Sequence, residues 1–411
     1  MPSLREKLSL PRRRTAIEEC YASILAPFAV HWAAPDSRAY PDDNSAEDNR
    51  GAFQRDRDRI IHTRAFRRLM YKTQLFLNYE GDYFRTRLTH ALEVSQLSRG
   101  VCRSLALNEH LAEAIALGHD LGHTPFGHAV ERYFDGLFQS QGCGRFFHNE
   151  QSLRIVDLLE RRTAQGPPGL NLTREVREGI LKHNSNSSGA YPALSPGLPC
   201  SSLEGQVVAV VDTLAYLCHD LEDVVTSGYL AAAMHQSQRV HAIFTHLKEL
   251  VGSCTGLSLC FDAVEEPFFI RSLTHFLVTA LTEDTLAALE THGVDSREKV
   301  RALAAQGVAL VGFSGEHQAF FSALRQDMLQ GVYQSHPVAA MDHKAVAVVQ
   351  RLTEACLSTP KLMPPDWYDQ YEACADGPSR LRVVCDYLSC MTDRSAVDES
   401  ERLFNPRIKI Y

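Results

Sequence analysis

The sequence predicts an all-α fold, and three observations carry that expectation. Apolar residues recur at helical spacing through most of the chain. Capping and helix-stopping residues stand at the ends of those runs. No stretch alternates as a strand except the terminal run RIKIY (407–411). No internal repeat is visible.

In order, IEECYASILAPFAV follows a basic start as a short amphipathic segment, and PDSRAYPDDNSAEDNRG (36–51) reads as an exposed loop. FQRDRDRIIHTRAFRRLMYKTQLF predicts one helix over about 53–77, with Ile60, Ile61, Phe66, Leu69 and Met70 on one face. A helix from Arg87 to about Leu107 carries His90 on or beside its apolar face. Asn108 is placed to cap the next helix, with Glu109 and Glu113 near its positive end. That helix is expected to run through LAEAIALGHDLGH and stop at Thr124-Pro125. Further helices are expected from Gly127, over 147–162, and over 173–183 behind a Thr173 cap. Residues 184–202, dense in Ser, Gly, Pro and Asn, read as a loop, either a flap over a site or a solvent loop. LEGQVVAVVDTLAYLCHDLEDVV (203–225) is a long apolar helix, and the remainder continues helical.

A net charge of −8 argues against a protein that coats nucleic acid. No apolar run reaches bilayer length, and the N-terminal stretch lacks the apolar core of a signal peptide. The 11 cysteines include no C-x-x-C pair, so reduced thiols and a cytoplasmic location are expected.

Chemistry concentrates between Arg87 and His148, which hold six of the chain's 18 histidines. HDLGHTPFGHAVE alone packs three His, an Asp and a Glu. Imidazole and carboxylate together suit a divalent metal in a hydrolase. His119 and Asp120 diverge too widely on a helix to share one face but can reach one ion near its end, and His90 comes from the preceding helix. Asp212 sits where a core residue is expected, and burying it unpaired is costly, so it calls for a cation or strong hydrogen bonds. A zincin reading of His119 and His123 at i,i+4 fits poorly, because the second position is Asp120 and Gly122 and Pro125 break the helix.

The order H…HD…D, with HDLGHTPFGH and then FHNEQS, resembles the HD-domain superfamily of metal-dependent phosphohydrolases. RAFRRLMYKTQLF, RLTHALEV, EGILKH, VVDTLAYLCHDLED and MTDRSA narrow the resemblance to its deoxyguanosine triphosphate triphosphohydrolase branch. The resemblance implies an HD helical core over 53–230, an N-terminal extension over 1–52, and additional C-terminal helices over 231–411 packed on the core. It implies His90, His119, Asp120 and Asp212 as ligands of a divalent ion (Mn, Mg, Fe, Co or Ni), and His128 with Glu131 as the catalytic pair. His123 and His148 would line the phosphate side, and Arg87 would bind phosphate. Gln74 would lie near a deoxyribose, Tyr216 would pack on the sugar, and Asp220 would take the 3′-hydroxyl. His183 matches a family position without an assigned role. Thr213 stands where a vertebrate relative has a phosphate-binding lysine, which shifts the triphosphate grip to Arg67, Arg68 or a C-terminal basic residue.

The implied activity is hydrolysis of a dNTP to deoxynucleoside and tripolyphosphate. The alternatives are another HD phosphohydrolase acting on nucleoside monophosphates or cyclic nucleotides, and a non-catalytic nucleotide- or single-strand-binding regulator. Expected partners are the dNTP substrate, a homo-oligomer (tetramer or hexamer), an activating dNTP and single-stranded DNA, with no membrane.

Overall fold

A computed structural model describes residues 14–34, 37–42, 49–74, 85–163, 165–195, 197–226, 238–256 and 266–408. Among them the architecture is all-α, with only two isolated bridges, Thr73 to Thr86 and Arg161 to Gly169. Arg407 and Ile408 lie in a turn, and the rest of the terminal run falls outside the described residues.

Helix α1 (Arg14–Ala22) precedes α2 (Ala52–Ile61) and the short α3 (Arg64–Arg68). The single helix expected over 53–77 is therefore broken. Thr63 breaks it, because its hydroxyl donates to the Ile60 carbonyl (2.7 Å) and accepts from the Phe66 amide (3.0 Å), ending one helix and capping the next. Helices α4 (Arg87–Ser104) and α5 (Glu109–Gly118) pack closely, and Asn108 caps α5 by accepting from the His110 and Leu111 amides.

Helix α5 ends at Gly118, short of the expected stop. The Ser152 hydroxyl donates to the His119 carbonyl (2.6 Å) and accepts from the Gly122 amide (2.8 Å), so one side chain satisfies backbone that a longer helix would have paired. Gly122 permits this approach: a Cβ there would meet the Ser152 nitrogen at 2.1 Å and the His148 carbonyl at 2.3 Å. The turn after His119 thus lies directly on α7 (His148–Arg154), which follows α6 (His128–Ser140). The helix expected over 147–162 passes into a π turn at Ile155–Leu159.

Helices α8 (Arg174–Lys182) and α9 (Leu203–Thr226) close the region, with α9 packed on α4, α5 and α8. Helices α10 (Gln238–Thr255), α11 (Glu266–Thr291), α12 (Arg297–Ala305), α13 (Gly315–Met328), α14 (His336–Ser358), α15 (Pro365–Glu372), α16 (Gly377–Ser389) and α17 (Asp393–Phe404) follow. No described helix is long and apolar enough to cross a membrane.

The cores do not stop at residue 230. Leu281, Leu289, Val300 and Leu310 join the cluster built on α4, α5 and α9, and Val130, Phe134 and Phe146 pack with Val349, Leu352 and Val384. Polar ties reinforce the contact. The buried Asp393 carboxylate, within MTDRSA, accepts from the Thr73 and Phe126 amides, both at 2.8 Å. The buried Lys72 ammonium donates to the carbonyls of His123 and Ser389.

Burial pulls the Lys72 pKa down to about 8, against smaller upward pulls from Cys390 and Asp393. An unfolded lysine keeps its proton to about pH 10.4, so between those values the unfolded chain binds more protons and this group makes stability rise with pH. Urea unfolding at pH 8, 9 and 10 is therefore expected to show the wild-type protein gaining roughly 2 kcal/mol relative to Lys72→Met across the series. Parallel pH curves would contradict this account of Lys72.

Candidate active site

The carboxylate of Asp120 lies just past the end of α5, buried and surrounded. Arg87 Nη1, from the first turn of α4, donates to Oδ2 at 2.8 Å. His123 Nε2 lies 3.0 Å and His119 Nε2 3.4 Å from Oδ1. Gly127, at φ 60°, gives the guanidinium its room, since a Cβ there would come within 2.9 Å of Arg87 Nη2. Burial opposes charge on Asp120, but His119, His123 and Arg87 hold its carboxyl well below the usual range.

Across from Asp120, helix α9 presents Asp212. His90 Nε2 is 2.9 Å and His119 Nε2 3.4 Å from its Oδ1. The Ala116 carbonyl accepts from His119 Nδ1 at 2.6 Å, which fixes the tautomer and turns Nε2 toward both carboxylates. Burial resists charging His119, yet Asp120 and Asp212 lift its pKa to about 9. His90, His119 and Asp120 bring donor atoms within 4.8 Å of one another.

A second cluster adjoins the first. Glu131, on the first turn of α6, accepts from His128 Nδ1 (2.7 Å), His148 Nδ1 (2.8 Å) and the His148 amide (2.8 Å). Burial disfavours its charge, but His148 and His128 hold the carboxyl far below the usual range. His148 stacks on His123 at 4.0 Å between centroids. Its Nε2 lies 3.0 Å from His183 Nε2, and His183 Nδ1 donates to the Ile180 carbonyl at 2.7 Å. Burial and the neighbouring His119 push the His183 pKa down to about 3, so its Nε2 is an acceptor. His148 must then donate from both nitrogens, to Glu131 and to His183. Its raised pKa agrees: burial opposes the charge and Glu131 outweighs it.

Both clusters open into one cavity of ≈ 840 Å³, which His90, Asp120, His123, His128, His148 and Asp212 help to line. Arg87, Gln74, Tyr216 and Asp220 line it too. Tyr333 donates to Asp220 Oδ2 at 2.6 Å, while Oδ1 is buried without a partner. Burial raises the Asp220 pKa to about 7. The 184–202 loop forms part of the wall through Asn184, Ser185 and residues 197–200. His219, the second HD dipeptide, pairs instead with Glu93 at 3.0 Å.

Residues 87–235 match the HD domain, and residues 311–402 match the phosphohydrolase-associated domain. The deoxyguanosinetriphosphate triphosphohydrolase-like protein of Geobacter sulfurreducens is 41% identical over 386 residues, spanning 93% of this chain and 95% of that one. The protein so named from Azoarcus sp. is 41% identical, spanning 92% and 96% of the two chains. That of Syntrophus aciditrophicus is 37% identical, spanning 97% and 98%. The chain belongs to this HD-domain phosphohydrolase family.

As a member of it, the protein is a hydrolase whose domain type binds divalent metals. The residues present fit such an ion. His119 Nε2 is buried with no hydrogen-bond partner and faces two ionised carboxylates, an arrangement that a divalent cation completes.

The structure also extends the expected phosphate contacts. Arg67 and Arg68 are not among the residues that line the cavity, whereas Arg325, a basic residue of the C-terminal region, lines it together with Arg132 and Lys182. Tyr333, at the end of a π turn (Leu329–Tyr333), and Arg325 come from the C-terminal region, where no sequence motif marked them. His183 is marked in the sequence by the EGILKH motif, but its part as the acceptor for His148 shows only in the fold.

Glu131→Gln removes the charge that holds the His148 proton while leaving burial unchanged. His148 is expected to titrate at lower pH in that variant, read from imidazole nitrogen NMR shifts. An unaltered His148 titration would remove Glu131 as the cause.

Proposed function

We propose that the protein hydrolyses deoxynucleoside triphosphates to deoxynucleoside and tripolyphosphate. The observation that carries this reading is a single cavity in which two sets of groups meet. Asp120 of the first cluster and His128 of the second border it together with Tyr216 and the half-partnered Asp220 carboxylate. The names of the similar proteins from Geobacter sulfurreducens and Azoarcus sp. support the same substrate class.

In this reading His90, His119, Asp120 and Asp212 hold the divalent ion. When bound, the ion supplies Lewis acidity toward a phosphoryl oxygen and a water of lowered pKa. Arg87 is a cation fixed at the α-phosphate, its guanidinium fork oriented by Asp120. His123 and the doubly protonated His148 face the phosphate side. His128 Nδ1 is committed to Glu131, so Nε2 is the nitrogen it offers to the cavity. Water attacks the α-phosphorus and releases a proton to solvent, the P–O5′ bond breaks, and His128, oriented by Glu131, gives a proton to the departing 5′-oxygen. Tyr216 packs on the deoxyribose, Gln74 lies beside it, and Asp220 Oδ1 accepts from the 3′-hydroxyl while Tyr333 holds Oδ2. Arg132 offers a cation for the outer phosphates, and Arg325 bonds Tyr216 beside the sugar.

The direct test measures tripolyphosphate release from each of the four dNTPs, with and without Mn²⁺ and with a second dNTP added as activator. Tripolyphosphate and free deoxynucleoside in equal amounts are expected. Pyrophosphate or orthophosphate as the product would sink the proposed reaction in favour of another HD chemistry.

His128→Ala is expected to keep its bound metal, measured by elemental analysis, while kcat falls about 10²–10⁴-fold. Asp120→Ala is expected to lose metal and activity together. Turnover that survives both Asp120→Ala and chelation would refute the metal-dependent reading.

A further inference from the structure

A second cavity, of ≈ 460 Å³, lies between α8, α12 and the loop around 194–201. Arg174 and Lys182 reach it from α8, and Arg297 and Arg301 from α12. Two carboxylates also line it, and both are already engaged. Glu175 accepts from the Ser37 hydroxyl (2.6 Å), the Ala34 amide (3.2 Å) and Arg297 Nη2 (3.2 Å). Glu178 accepts from the Ser201 hydroxyl (2.6 Å), the Ser201 amide (2.9 Å) and Lys182 Nζ (2.8 Å).

Two of the four cations are taken up by these carboxylates, Lys182 by Glu178 and Arg297 through Nη2 by Glu175, and Lys182 also donates to the Pro199 carbonyl (3.1 Å). Arg174 gives one Nη2 bond to the Ala193 carbonyl (3.0 Å), and Arg297 Nε is buried without a partner. Arg301 has no hydrogen bond or ion pair among the described residues. Four cationic side chains against two saturated carboxylates leave a local positive excess, on a chain whose net charge is −8. Guanidinium donors from two helices, facing one concavity, match the oxygens of a phosphate group. The volume exceeds one phosphate and falls within the range of small-molecule sites.

We propose that this second cavity binds a phosphate-bearing anion, either inorganic polyphosphate or the phosphate end of a nucleotide. The site is separate from the catalytic cavity but shares a wall with it, because Lys182, Leu198 and Pro199 line both. Its occupant therefore touches the same loop that borders the catalytic residues.

The test is calorimetric titration of the full-length, EDTA-stripped protein with inorganic pyrophosphate. Arg301 is exposed and outside the core, so Arg301→Glu leaves the fold intact and, with metal restored, the basal phosphohydrolase turnover unchanged. Arg301→Glu and Arg174→Gln are each expected to weaken one pyrophosphate-binding event at least tenfold, and Arg301→Lys to preserve most of it. Wild-type isotherms in both Arg301→Glu and Arg174→Gln would overturn the site. A parallel titration with a dNTP identifies the source. Tighter binding than pyrophosphate, lost in Arg301→Glu, marks a nucleotide site, and equal affinity marks a site for the phosphate group alone. The isotherms do not depend on which phosphate ester the catalytic cavity hydrolyses, so this inference and the proposed activity can fail separately.

Discussion

The buried Asp120 carboxylate is the interaction around which the site is arranged. Arg87, His119 and His123 converge on its two oxygens from α4 and from the turn after α5. Removing one partner from a buried charged set of this kind costs on the order of 3–5 kcal/mol, because the remaining charge is left uncompensated. The geometry of that turn is consequently a matter of stability as well as chemistry. Gly122 lets the turn rest on α7, Ser152 pairs its backbone, and Gly127 leaves space for the Arg87 guanidinium.

A chain of hydrogen bonds carries this order outward. His148 stacks on His123 and spans from Glu131 to His183, and His183 is anchored on the Ile180 carbonyl of α8. Glu131 collects three donors and so fixes both His128 and the start of α7. Charge runs in compensating steps along this path: ionised Asp120, ionised Glu131, charged His148, neutral His183. Each group's protonation follows from burial and from the partner it faces.

The C-terminal helices belong to the same construction. Asp393 pins the backbone of Thr73 and Phe126, next to Gln74 and Gly127, and Lys72 spans between the His123 and Ser389 carbonyls. Tyr333 and Arg325 add to the cavity lining beside Asp220 and Tyr216, with Tyr333 holding one oxygen of Asp220. The C-terminal region, of which residues 311–402 match the phosphohydrolase-associated domain, thus supplies both support and lining.

The sequence by itself determined the helical class, the caps at Asn108 and Thr173, and the dense cluster around His119 and Asp120, because helical periodicity, capping chemistry and motif spacing are local properties. It also named Asp212 as a buried acid needing partners, since an ionised side chain in an apolar run has few alternatives. Tertiary structure decided the rest. The break at Thr63 and the early end of α5 come from hydroxyl groups that out-compete helix continuation, one of them, Ser152, on another helix. The proton carried on both nitrogens of His148, the neutral His183, and the places of Tyr333 and Arg325 arise between residues far apart in the chain. Such pairings depend on how the helices stack, and no spacing within one segment encodes them.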